Sequence, residues 1–259
     1  MSDGLGLALA TTFPMITQRA LFAPSQIAGL QVWLDAADLS TITESGGAVS
    51  QVDDKSGNLN HATQGDGARQ PLTGTQTIGG RNALEFLADQ LIVPNNTNDD
   101  MDIFIVARII NAANSNGQWW GNSGLYDAEE GGGTADFGSS VQDAGQLGFG
   151  FGPGVAGGDS TAKTAGSVLG VDSLFNLTRE SIAQDLRQIR VDGVLEFNGT
   201  TGDRRNTRNS IRRTIGSIQT NGNYMLEMRV GEVLVYDRIL TAEERTKVEE
   251  YANEKWGVA

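Results

Sequence analysis

The groups in this 259-residue chain whose types and spacing could do chemistry are carboxylates, one aromatic pair and an arginine cluster. Two acid pairs fall on alternating apolar runs or at their ends, Asp192 with Glu196 and Glu232 with Asp237. Paired acids are what general acid–base or nucleophilic work on a glycosidic bond requires. Glu129 and Glu130 are adjacent in a Gly-rich stretch and point apart. His61 is the single histidine, so any Ser-His-Asp triad would have to be built on it. No nucleophile elbow lies near it, and a structural role is expected. Asp35 with Asp38, and Asp99 with Asp100 in an Asn-rich turn, offer oxygen ligands for Ca²⁺, a hard ion that collects roughly six to eight of them. Neither group follows an EF-hand pattern, and the same residues are turn formers.

Trp119-Trp120, followed by Tyr126-Asp127, is the best candidate for carbohydrate binding. Pyranose rings lay their C–H faces on exposed aromatic rings while nearby amides and carboxylates fix the hydroxyls. On a strand, adjacent tryptophans face opposite sides, which predicts one in the core and one near the surface. Arg204, Arg205, Arg208, Arg212 and Arg213 crowd ten residues of an otherwise acidic chain. They could clamp carboxylates or phosphates of a partner, or guard a sheet edge against unwanted strand pairing.

The elements that must position these groups are mostly strands. Leu30–Leu34, Ala83–Phe86, Ile103–Ile109, Gln188–Val191, Val194–Phe197 and Leu226–Val230 are short runs rich in β-branched and aromatic residues, several alternating with period two. Asp192-Gly193 between two of them predicts a type I′ hairpin, whose central residues both need φ > 0. Residues 117–170 hold 16 of the 34 glycines, which predicts long loops, bulges and close backbone approach. Thr241-Ala-Glu-Glu244 is a capping box and opens a helix of about 12 residues that Gly257 ends. Its inward stripe is Val248, Tyr251 and Ala252.

Composition narrows the function classes. With 19 Lys+Arg against 32 Asp+Glu the net charge is −13, which argues against a nucleic-acid binder. Without cysteine there is no disulfide framework, thiolate metal site or cysteine nucleophile. No run approaches the ~18 consecutive apolar residues of a membrane span. Asp3 stands where a secretory signal needs cations, and Pro14 and Arg19 interrupt the apolar character. Residues 1–27 read as a docking arm ahead of a domain covering 28–259, because Leu5, Leu7, Leu9, Phe13 and Met15 are too many apolar side chains for a solvated tail.

Three segments, Gly29-Leu-Gln-Val-Trp-Leu-Asp-Ala-Ala-Asp38 onward to Thr41, Gly47 to Gln64, and Gly80 to Phe86, resemble the opening of a concanavalin A-like lectin/glucanase domain of the laminin-G-like kind. Val230-Gly-Glu-Val-Leu-Val-Tyr-Asp237, the capped helix and Trp256 resemble its close. The resemblance implies an all-β, two-sheet antiparallel jelly-roll sandwich with a short C-terminal helix, used for binding glycans or proteins, sometimes with Ca²⁺. It departs at Val52, where relatives commonly carry tryptophan, and at Leu59, where they commonly carry glycine. His61 matches a structural turn of the family. Relatives that hydrolyse β-glucans place Glu-x-Asp-x-x-Glu on one strand, and no such spacing occurs here, so no catalytic residue is assigned.

A short leaderless arm running into such a domain is similar to structural proteins of tailed bacteriophages. That arrangement implies a non-enzymatic virion surface protein, a capsid decoration or tail component held by its arm to capsid or tail proteins. It would present the sandwich to host glycan in several copies around a symmetry axis. The alternatives are a glycoside hydrolase of the laminarinase-like superfamily with an unrecognised site, and a non-viral bacterial surface lectin.

Overall fold

The computed structural model describes residues 22–94, 100–113, 118–129, 136–142, 144–151, 161–180, 186–200 and 212–258. In chain order the strands are β1 Leu30–Asp35, β2 Ile42–Ser45, β3 Ala48–Val52, β4 Ala62–Thr63, β5 Leu72–Ile78, β6 Arg81–Phe86, β7 Leu91–Pro94 and β8 Met101–Asn111. There follow β9 Ser123–Asp127, β10 Phe137–Val141, β11 Leu147–Phe151, β12 Thr161–Lys163 and β13 Asp172–Glu180. The last are β14 Leu186–Val191, β15 Val194–Thr200, β16 Arg212–Ile215 and β17 Glu227–Tyr236, before helix α1 Ala242–Trp256.

Every ladder is antiparallel, and the pairings divide into two layers. One runs β15-β14-β13-β8-β17, with β1 and then β6 and β5 on the far edge of β17. The other runs β2-β3-β4-β7-β16-β9-β10-β11-β12. A single pairing, Ala48 with Leu72, joins the layers at one edge. The expected all-β antiparallel sandwich with a C-terminal helix is the observed architecture.

Period-two alternation explains how β8 serves two cores at once. Met101, Ile103, Ile105, Ala107 and Ile109 point between the layers, whereas Phe104 and Val106 point outward beneath α1. The helix buries Val248, Ala252 and Trp256 on that outward face, about 1.5–3 kcal/mol for each large side chain. Thr241 Oγ1 accepts from the Glu244 amide at 3.2 Å, and the Glu244 carboxylate accepts from the Thr241 amide at 2.9 Å. Gly257, at φ 72°, closes the helix. The Asp192-Gly193 hairpin has φ values of 49° and 73°, as the turn demands.

A bulge in β17 decides where its acid points. Val230 pairs with Ala107 and Glu232 with Val106, residues of opposite faces, so the extra residue Gly231 turns Glu232 outward toward α1. A Cβ on Gly231 would lie 2.9 Å from the Trp256 ring, so glycine is what lets the indole settle there.

Within residues 117–170 the bulge and the close backbone approach expected of the glycines are present, at the β9–β10 register shift and where Gly138 and Gly150 face Trp119, and β9 to β11 add buried walls to the second layer. One expectation needs correction. The segment expected to dock elsewhere ends on its own domain. Phe22 packs edge-on to Tyr251 at 6.1 Å between ring centres, Ile27 is buried, and Tyr236 donates to the Pro24 carbonyl at 3.1 Å. Apolar side chains beside a half-covered core bury themselves locally, so the body begins near residue 22 rather than 28. Leu5, Leu7, Leu9, Phe13 and Met15 lie outside the described residues.

Candidate functional site

Trp119, Tyr126 and Asp127 are fully buried, and of the four candidate sugar-binding residues only Trp120, 38% exposed, reaches solvent. The tryptophans sit on a 3-10 turn, Trp119–Gly121, rather than on a strand. The glycines are the reason Trp119 is inside. A Cβ on Gly150 would lie 1.9 Å from Trp119 Cδ1 and one on Gly138 2.6 Å from its ring, so the bare backbones of β10 and β11 form the bed for the indole. Burial pushes the Asp127 carboxyl well above the usual range, and the Glu129 amide donates to it at 2.6 Å. A ring-stacking platform built from all four is therefore corrected: three of them are interior.

The acids considered for Ca²⁺ fare similarly. Asp35 and Asp38 do converge, but on the Lys55 ammonium, at 2.9 and 2.7 Å. The lysine nitrogen occupies the position a cation would take, so the pair is an ion-pair clasp rather than an open metal cradle. Burial alone would weaken the Lys55 ammonium, and the hydrogen bonds and charges of Asp38 and Asp35 outweigh it. Asp100 is half-buried, Asp99 lies outside the described residues, and no cluster of three or more metal-type side chains occurs among the described residues. Of the arginine group, Arg212 is exposed and Arg213 is buried, its guanidinium 4.9 Å from the Phe137 ring centre. Arg204, Arg205 and Arg208 lie outside the described residues.

Glu232 is a buried acid with four side-chain donors around it. Its Oε1 accepts from Trp33 Nε1 at 2.6 Å, Tyr251 Oη at 2.8 Å and Lys255 Nζ at 2.9 Å, and its Oε2 accepts from Trp256 Nε1 at 2.6 Å. Lys255 also reaches Asp35 at 2.8 Å, which links the clasp to the helix. Burial raises the Glu232 carboxyl and the Lys255 charge opposes the rise. With only 2% exposure and four donors in place, this acid has neither access nor lone pairs left for a substrate. His61 is structural in the same sense: its Nδ1 accepts the Asp54 amide at 3.1 Å. The Asp54 carboxylate in turn gathers the amides of Trp33, Ser56 and Asn60 at 2.8, 2.9 and 3.0 Å.

An open cleft of about 240 Å³ lies at the other end of the first layer, between the β14–β15 hairpin and residues 164–173. The Asp192-Gly193 turn brings Asp192 and Glu196 to one wall; Thr164, Ser167 and Ser173 contribute hydroxyl groups, over a floor that includes Val171 and Val191. The opposite wall is held by backbone, with the Val168 amide donating to the Gly145 carbonyl at 2.8 Å, and by Thr164, which donates to the Gly166 carbonyl at 2.8 Å. Asp192 accepts the Leu174 amide at 2.7 Å and so stiffens the turn. The Glu196 carboxylate has no hydrogen-bond or ion-pair partner among the described residues, and neither does the Ser173 hydroxyl, although Ser173 is only 3% exposed. Among the described residues no Lys or Arg lines the cleft. The Asp192…Glu196 spacing is the one sequence signal that pointed here. The hydroxyl wall had none, because it is assembled from a turn and the start of β13.

Neither a family model nor a curated protein matches the sequence. Solved structures do match the fold. The binding domain of Paraclostridial Mosquitocidal Protein 1 is similar over 90% of this chain and 53% of that one, with a TM-score of 0.61 at 13% identity. The receptor binding domain of botulinum neurotoxin D matches 88% of this chain and 53% of its own, with a TM-score of 0.57 at 12% identity. Trypanosoma rangeli sialidase in complex with sialic acid matches 88% and 34%, with a TM-score of 0.56 at 17% identity. The chain thus spans about half, or a third, of the structures it resembles, and what it shares with binding domains of toxins and with a sialidase is a lectin-like all-β fold.

Proposed function

We propose that this protein is a non-enzymatic glycan-recognition module of the concanavalin A-like kind, carried on the surface of a tailed-phage particle. The observation that carries the reading is the contrast in accessibility among its acids. Glu232 is sealed beneath α1, and the open cleft presents hydroxyls and a partnerless carboxylate over an apolar floor, the lining that sugar hydroxyls and C–H faces require. The likeness to two toxin binding domains and to a sialidase solved with sialic acid supports the carbohydrate-recognition part of this reading. Residues 1–21, with their spaced leucines and Phe13, are the segment offered to a capsid or tail protein, since the chain from Phe22 onward is already packed on its own core. No helix among the described residues is long and apolar enough to cross a membrane.

The test pairs binding with turnover. Purified protein is expected to bind host-surface polysaccharide without releasing new reducing ends, and Glu196→Gln to weaken that binding. Release of reducing sugar that Glu196→Gln abolishes would replace the module with a hydrolase. Particles assembled with protein lacking residues 1–21 are expected to lose it; retention at normal copy number overturns the anchoring role.

A further inference from the structure

We infer that the cleft between the β14–β15 hairpin and residues 164–173 takes a saccharide bearing a free amine, and turns away acidic sugars. This rests on the glycan-recognition reading and names the ligand class for its site. Among the described residues the cleft wall carries two carboxylates, Asp192 and Glu196, and no cationic side chain. One Asp192 oxygen is committed to the Leu174 amide at 2.7 Å, whereas Glu196 has no hydrogen-bond or ion-pair partner among the described residues and faces the space with its acceptor sites open. A second observation points to a ligand independently. The Ser173 hydroxyl, on a residue 97% withdrawn from solvent, faces this cleft without a partner among the described residues. That oxygen sits at the solvent edge of the cleft, within reach of a sugar hydroxyl acting as donor or acceptor.

The chemistry then discriminates between sugar classes. An ammonium on the sugar forms a charge-assisted hydrogen bond with Glu196, stronger than a neutral one. A sugar carboxylate would meet like charge at close range in a site without Arg or Lys, inside a chain whose net charge is already −13. The sialic acid bound by the similar sialidase is such a carboxylated sugar, so the shared fold does not bring a shared ligand. The volume of about 240 Å³ suits one or two sugar rings rather than a buried chain.

Calorimetric titration of the full chain with a glucosamine tetrasaccharide, its N-acetylated counterpart, sialyllactose and a lysine tetrapeptide, at a pH where the amines are protonated, tests this. The free-amine sugar is expected to bind about tenfold tighter than the acetylated one, the effect of one charge-assisted bond, with sialyllactose weakest. Glu196→Gln should erase that tenfold and leave the acetylated sugar's affinity unchanged. Glu196→Lys should reverse the order in favour of sialyllactose, so a second variant reports if the first misfolds. Equal binding of both tetrasaccharides, indifference to Glu196→Gln, or a lysine peptide matching the sugar would each overturn the amine preference. Wild-type protein that binds no saccharide at all would instead overturn the recognition reading beneath it.

Discussion

Glu232 and Glu196 are the same residue type on two separate strands of one layer, β17 and β15, and their surroundings make them opposites. Around Glu232 four donors from β1 and α1 fill the carboxylate, and the helix removes it from water. Around Glu196 the hairpin leaves the carboxylate open and unmet. The difference teaches that an acid's usefulness lies in what its neighbours leave unsatisfied. The saturated acid ties a helix to a sheet, whereas the unsaturated one has capacity to spare for a ligand.

The largest effect that could break this comparison comes from Glu232→Ala. It strands two indole N–H groups and a phenol and leaves the Lys255 ammonium with Asp35 alone as its carboxylate, and should cost about 3–5 kcal/mol in urea unfolding. A loss below about 1 kcal/mol would show that Glu232 is not a structural tie. Gly150→Ala comes next. Its methyl must displace the Trp119 ring, and a loss of about 1–3 kcal/mol with a shift in tryptophan emission is expected.

A smaller effect distinguishes the helix cap from the tie it supports. Arg238, the Thr241 amide and the Thr241 hydroxyl pull the Glu244 carboxyl down to about 2. Because the folded value lies below the unfolded one, this stabilisation is present above the ordinary carboxylate range and is lost as pH falls from about 4.5 toward 2. Glu244→Gln should cost about 1 kcal/mol at neutral pH and flatten the acid limb of a stability–pH profile across that window. Smallest of all, Glu196→Gln should leave stability within about 0.5 kcal/mol of the parent while changing ligand binding; a larger loss would mean that Glu196 too is structural.

What could be read from sequence follows the range of the interaction. The Asp192-Gly193 turn and the Thr241…Glu244 cap are local chemistry, complete within four residues, and both stand where expected. The close backbone approach expected of the glycine-rich middle is present at Gly138 and Gly150, but what approaches, an indole arriving from another segment, is not written in the local sequence. Trp120 and Trp119 do divide between surface and interior, although a turn rather than a strand separates them. Leu59 adopts φ 60° with its side chain 71% exposed, so the glycine-like backbone of that turn persists under a residue that disfavours it. The hydroxyl wall of the cleft carries no local pattern, since Thr164, Ser167 and Ser173 meet Glu196 only after β13 to β15 have paired.

The bulge at Gly231 bears on how this chain can vary. Strand side chains keep a two-residue parity, and that single inserted residue lets β17 serve the inter-layer core at one end and the helix interface at the other. Excising it would shift the parity of everything on one side, swinging a charged group into hydrocarbon or valines into a polar nest. A change of length at position 231 therefore reaches a whole strand at once, where a substitution reaches only its own neighbours.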